Sequence, residues 1–245
     1  MKRFYFSLLI ITAYYYSSAQ EDEIWKDASK ESQAYHKYRL KIIVPPYGLQ
    51  KVKTFISKIK SDNDDNEVPN QKNYLSLSFR EKFTYHMIHG ESYSQNCDLM
   101  PPVQDEQKKI FAQLPDVFGE FGWSARQLKF FNANRDSVIE LMKSSIVKNN
   151  RIGVNFKQVI VDINGKEMIP FLVKTYNLEK KDYDILTILM LLMKDNEYDQ
   201  FLISTSYQKL YADSQASYTS YLNFNTLNQD LIIKRATDFY NGLLK

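Results

Sequence analysis

Residues 183–193 read YDILTILMLLM, an apolar run interrupted only by Asp184 and Thr187. At 3.6 residues per turn such a run covers every face of a helix, so that helix has to be enclosed by other elements. Lys194 and Asp195 end it well short of the roughly 18 apolar residues that a membrane span requires. The expectation is a central core helix with the rest of the chain wrapped around it.

Working outward, Asp182 stands where a helix cap is needed, and the apolar pattern runs on through Tyr198, Phe201 and Leu202, with a bend expected at 204–206. Upstream, Asn164-Gly165 lies between two apolar stretches, a sequence that often closes a hairpin. Phe156, Ile160 and Ile163 before it and Met168, Phe171, Leu172 and Tyr176 after it keep helical spacing instead, and Pro170 suits a helix's first turn. Two helices meeting at the Asn-Gly turn are therefore expected over 156–176. A helix from Asp136 stops at Asn149-Asn150, and a last one spans about 228–244.

Two capping boxes mark further helix starts, Ser78 with Glu81 and Ser124 with Gln127. The first helix should reach about His89, with Gly90 as a left-handed stop. Leu49, Val52, Phe55, Ile56 and Ile59 form one helical stripe backed by lysines, and 105–114 reads as a short helix. Tyr38–Val44 is an extended run stopped by Pro45-Pro46. Residues 61–73, rich in Asp, Asn and Pro, read as a mobile surface loop. Seven Gly and seven Pro in 245 residues are too few for the frequent tight turns of a sandwich or barrel. The fold expected is mainly α, a multi-helix globular bundle or irregular helical array with at most a minor β-hairpin. It should form one helical domain over 20–245.

Residues 1–19 have the design of an export signal. Lys2 and Arg3 supply the positive start, Phe4 to Tyr16 the apolar stretch, and Ser17-Ser18-Ala19 the small residues before a cut near Ala19. The address implied is periplasmic or secreted, with no transmembrane segment in the mature chain. Losing Lys2 and Arg3 reduces 32 basic residues to 30 against 29 acidic ones. A net charge so near zero gives no electrostatic case for nucleic acid. Cys97 is the only cysteine, so an internal disulfide is excluded.

Chemistry, if there is any, concentrates in 82–100, KFTYHMIHGESYSQNCDLM. On a helix His86 and His89 share a face, and Glu91 beyond Gly90 could fold back to them. Together they would make a two-histidine, one-carboxylate site for a divalent transition metal with a position left for water. The alternative is plain packing, with His86 on the edge of the stripe formed by Phe79, Phe83 and Met87. Cys97 with a neighbouring histidine is a second candidate, as a thiolate nucleophile. No G-x-S-x-G, G-x-x-x-x-G-K, G-x-G-x-x-G or H-E-x-x-H pattern occurs. The functional expectation is thus an exported, non-catalytic binding or assembly module whose partner is a protein or envelope component. A metal- or Cys/His-dependent hydrolase centred on 86–97 is the alternative.

Overall fold

The computed structural model describes residues 27–95, 101–213 and 219–244. Residues 1–19, read from the sequence as an export signal, and Cys97 lie outside them. Among the described residues the protein is mainly α-helical, with two antiparallel two-stranded sheets.

The decisive stretch forms helix α9, Asp184–Asp195, in which every residue from Asp184 to Met193 is buried. Its wall is made by α7 (Val154–Asp162), α8 (Ile169–Glu179), α10 (Asp199–Leu202), α12 (Thr226–Gly242) and strand β2 (Lys109–Phe111). Both polar interruptions of the run are paired. The Thr187 hydroxyl donates to the Phe111 carbonyl at 2.8 Å, which ties β2 to the core helix, and Asp184 enters a buried ionic chain. An all-buried helix tolerates polar side chains only when each finds a partner. One continuous apolar cluster, from Ile43 to Phe239, surrounds α9. A smaller one joins Val52, Tyr74, Leu77 and Tyr85. Among the described residues no helix is long and apolar enough to cross a membrane.

Several elements follow the sequence closely. Helices α4 (Phe79–Ile88) and α5 (Ala125–Ala133) both start in complete capping boxes. The Asn-Gly segment joins two helices, α7 and α8, with Asn164 in the left-handed region and a short 3-10 turn before Pro170 near the start of α8. Helix α6 (Arg135–Asn149) stops at left-handed Asn150. Helix α2 (Leu49–Ile56) is entered through Gly48 at φ 60°; the extended run expected over Tyr38–Val44 starts later, at 41–46, because Tyr38 and Arg39 belong to α1 (Lys30–Arg39).

Other expectations are corrected. Residues 105–114 hold a 3-10 turn, Glu106–Lys108, and then β2, which pairs with β4 (Tyr221–Asn223). A partner more than a hundred residues away overrides the local helical spacing. The second sheet joins β1 (Ser92–Tyr93) to β3 (Phe121–Gly122), so neither sheet is a tight hairpin. Gly90 keeps φ out of the left-handed region. Its lack of a Cβ is used for close approach, since a methyl there would stand 2.8 Å from the Phe118 ring and 2.9 Å from the Gly122 carbonyl. Asp182 caps nothing: Tyr183 occupies the cap position of α9, and its N–H donates to the Tyr35 hydroxyl. Left-handed Glu197 separates α9 from α10, and Ser204 caps a new helix, α11 (Thr205–Tyr211). Within 61–73, Asn70 caps the short helix α3, Gln71–Leu75. The loop before α3 is stitched to the chain after α4, through Glu67 N–H to Glu91 O and Tyr93 N–H to Asn66 Oδ1.

Candidate functional site

The histidine stretch folds into a buried polar network between α4 and the start of α5. The capping box orients it. Gln127 Oε1 accepts from the backbone N–H groups of Ser124 and Glu91, so its amide nitrogen points the other way, toward His86 Nδ1 at 3.0 Å and the His89 carbonyl at 2.8 Å. With Nδ1 accepting, the imidazole carries its proton on Nε2 and donates to the Tyr74 hydroxyl at 3.1 Å. Both ring nitrogens of His86 are thus occupied. Burial, reinforced by the nearby Arg126 charge, holds His86 well below the usual histidine range, so the ring stays neutral.

Glu91 is buried and equally committed. Its carboxylate accepts from the Tyr85 hydroxyl at 2.7 Å and the Ser124 hydroxyl at 2.5 Å, and it pairs with Arg126. His89 Nε2 donates to the Glu67 carbonyl at 3.0 Å, and its other nitrogen lies 3.6 Å from the Glu67 carboxylate. His86, His89 and Glu91 are therefore neighbours in space, yet each is taken by a different partner. Among the described residues no group of three or more His, Cys, Asp or Glu side chains is placed to hold a metal ion. The three-ligand arrangement expected from the sequence is not formed. The same atoms instead satisfy a helix start and the chain that crosses it. Trp123, whose indole N–H donates to the His86 carbonyl, closes the network.

A second polar assembly was not anticipated. It runs beside the start of α9 as a chain of ion pairs. His36 Nδ1 meets Glu106 at 3.0 Å. Arg39 bridges Glu106 at 2.8 Å and Asp184 at 2.9 Å. Lys157 then bridges Asp184 at 3.0 Å and Asp182 at 2.6 Å. The Lys157 side chain is fully buried. Burial pushes the Asp184 carboxyl up, but Arg39 and Lys157 outweigh it and hold the group below the usual carboxylate range. Asp182 ends the chain and behaves oppositely. Burial, only partly offset by Lys157, and the adjacent Asp184 charge push it up. Its Oδ1 receives Lys157, whereas its Oδ2 is buried without a hydrogen-bond partner. The sequence held one signal for this assembly: a carboxylate in a helix that is apolar on every face demands a countercharge, and Lys157 sits within the buried stripe of α7.

Asp182 lines a cavity of about 330 Å³ between α6, α8 and the start of α9. Ile146, Ile152, Phe171, Tyr176 and Ile185 contribute apolar wall. Arg151 lines it too. Its terminal nitrogens are spent on the carbonyls of Lys41 and Ile42, which leaves Nε buried without a partner. A cavity of this size, mainly apolar with a few polar groups, has the usual form of a small-molecule site. A second hollow, of about 920 Å³, lies along α1, β2 and β4, where His36, Arg39 and Glu106 reach it from the other end of the ionic chain.

Comparison with known protein families, with curated proteins and with solved structures finds no match to this chain.

Proposed function

We propose that the chain is an exported, non-catalytic binding protein of the periplasm or cell exterior, and that its ligand site is the cavity beside Asp182. The address rests on residues 1–19, whose charge, apolar stretch and small residues suit export. One observation carries the choice of site. The cavity is ligand-sized, and two of its lining residues, Asp182 and Arg151, each keep a buried polar atom without a partner. Buried donors and acceptors are satisfied in the great majority of cases, so such a pair beside an open space points to a group supplied from outside. Binding is favoured over hydrolysis because the side chains that would do chemistry at 86–91 are already saturated by fixed partners.

The test is thermal unfolding of the mature protein against a panel of small carboxylates, alcohols and amines, with amide shifts of Ile152, Tyr176 and Ile185 followed by NMR. A ligand of the folded state raises the melting temperature, with the stabilisation growing as the logarithm of one plus the ratio of free ligand concentration to Kd. The reading expects shifts confined to the cavity and abolished by Val147→Trp, which places an indole at its exposed edge. Hits that leave those amides unmoved, or bind the Val147→Trp protein equally well, overturn it.

A further inference from the structure

The rim of the cavity beside Asp182 differs in character from its floor, and the difference defines a ligand class. Resting on the binding role proposed above, we infer that the cavity takes an amphipathic monoanion, a molecule with an apolar body and a carboxylate or comparable single negative head.

The apolar half of the argument comes from the walls and from two residues that the fold leaves outside the core. Val147 on α6 and Leu178 on α8 both line the cavity, and they are 66% and 76% exposed. Large aliphatic side chains that flank an opening extend its apolar surface outward, and covering them on binding is favourable at roughly 25 cal/mol per Å². A ligand with a hydrocarbon or aromatic body gains there; a compact, wholly polar ion does not.

The charge comes from the middle of α8 and from the residues just after its end. Lys174, Lys180 and Lys181 line the cavity, with Arg151 on the facing side. Among the described residues none of these three lysines forms an ion pair or a side-chain hydrogen bond. Glu179 is the acidic residue of the rim. Asp182 lies deeper, where its Oδ1 pairs at 2.6 Å with the Lys157 ammonium that Asp184 shares. The balance at the opening is therefore positive, and Arg151 Nε–H is a buried donor still lacking an acceptor. A single guanidinium N–H with lysines around it complements an oxyanion, and the same charges disfavour an amine.

The experiment uses the mature chain and four probes: decanoate, decanol, decylamine and inorganic phosphate. Affinities are measured by calorimetry at low and at physiological salt, in the native protein and in Lys174→Glu/Lys181→Glu, which alters only exposed side chains. Decanoate should bind about tenfold or more tightly than decanol, decylamine should bind more weakly than either, and phosphate should not compete with decanoate. The double variant should lose about tenfold for decanoate and nothing for decanol, and added salt should weaken decanoate alone. Decanol matching decanoate, with both blocked by Val147→Trp, overturns the anionic class while leaving the binding role intact. Tight phosphate binding overturns the apolar requirement. If no probe binds and the cavity amides stay fixed, this inference falls together with the binding role on which it rests.

Discussion

Asp182 and Asp184 are two residues apart, share one lysine, and should respond unequally to the same substitution. Asp184→Asn removes a carboxylate that serves both Arg39 at 2.9 Å and Lys157 at 3.0 Å in a fully buried setting. Breaking a buried ion pair by deleting one partner typically costs about 3–5 kcal/mol. Glu106 still holds Arg39 and Asp182 still holds Lys157, so the lower end applies, about 3 kcal/mol. Asp182→Asn deletes a group with one unpartnered oxygen, and Lys157 keeps Asp184. Its effect should stay within about 1 kcal/mol of zero.

Urea unfolding followed by far-UV circular dichroism measures both, and the gap of about 2 kcal/mol corresponds to roughly 4–8 °C in melting temperature for a chain of this size. The pH dependence separates them further. Asp184 is held below its unfolded value, so its contribution is present above about pH 4 and is lost as pH falls through the folded value. The curves of the native protein and Asp184→Asn should converge in acid. Asp182 is raised, so its protonated form favours folding at low pH, and that contribution disappears as pH rises through the folded value. Equal losses from the two substitutions, or a larger loss at Asp182, would refute the asymmetric ionic chain.

Three other outcomes are expected. Gln127→Leu strips partners from the N–H groups of Ser124 and Glu91, from the His89 carbonyl and from His86 Nδ1. It should cost about 3 kcal/mol or more in chemical denaturation, and a loss below about 1 kcal/mol would show that the capping box does not organise the network. Because His86 is kept neutral when folded, the unfolded chain gains a proton below about pH 6.5 that the native one refuses. Native stability should therefore fall on acidification through that value, and His86→Phe should flatten this part of the profile; an unchanged slope would place the titration elsewhere. Gly90→Ala puts a methyl 2.8 Å from the Phe118 ring and should destabilise by about 1–3 kcal/mol. Gly242→Ala meets nothing within 4 Å at the end of α12 and should stabilise by about 0.5 kcal/mol; melting temperatures moving in the same direction would contradict this contrast.

What could be read from the chain was local. Burial of α9 on every side, the capping boxes at Ser78 and Ser124, and the Asn164-Gly165 junction all depend on residues within a turn or two of one another. Strand β2 was misread as helix because its identity is set by Tyr221–Asn223, and three residues of sequence carry no trace of such a partner. Gly90 was assigned the commonest use of a glycine after a helix, while its actual use depends on Phe118 and Gly122 arriving against it. Most of the ionic chain was hidden for the same reason: His36, Arg39, Glu106 and Asp182 are each ordinary where they stand, and only the fold brings them into line with Lys157 and Asp184. For His86, His89 and Glu91 the proximity was legible. Their partners, Tyr74, Gln127, Glu67, Tyr85, Ser124 and Arg126, were not.

The pairing of β2 with β4, and the packing of α9 against α12, also constrain the order in which the molecule can assemble. Among the described residues the most apolar helix is complete at residue 195, but its cover includes Tyr221–Asn223 through β2 and the whole of 226–242. As the polypeptide emerges from its N-terminal end, the stickiest surface appears some thirty to fifty residues before the segments that close over it. The segments that seal the core are thus made after the core helix itself, and a premature stop between residues 195 and 221 leaves an adhesive fragment in place of a smaller folded protein.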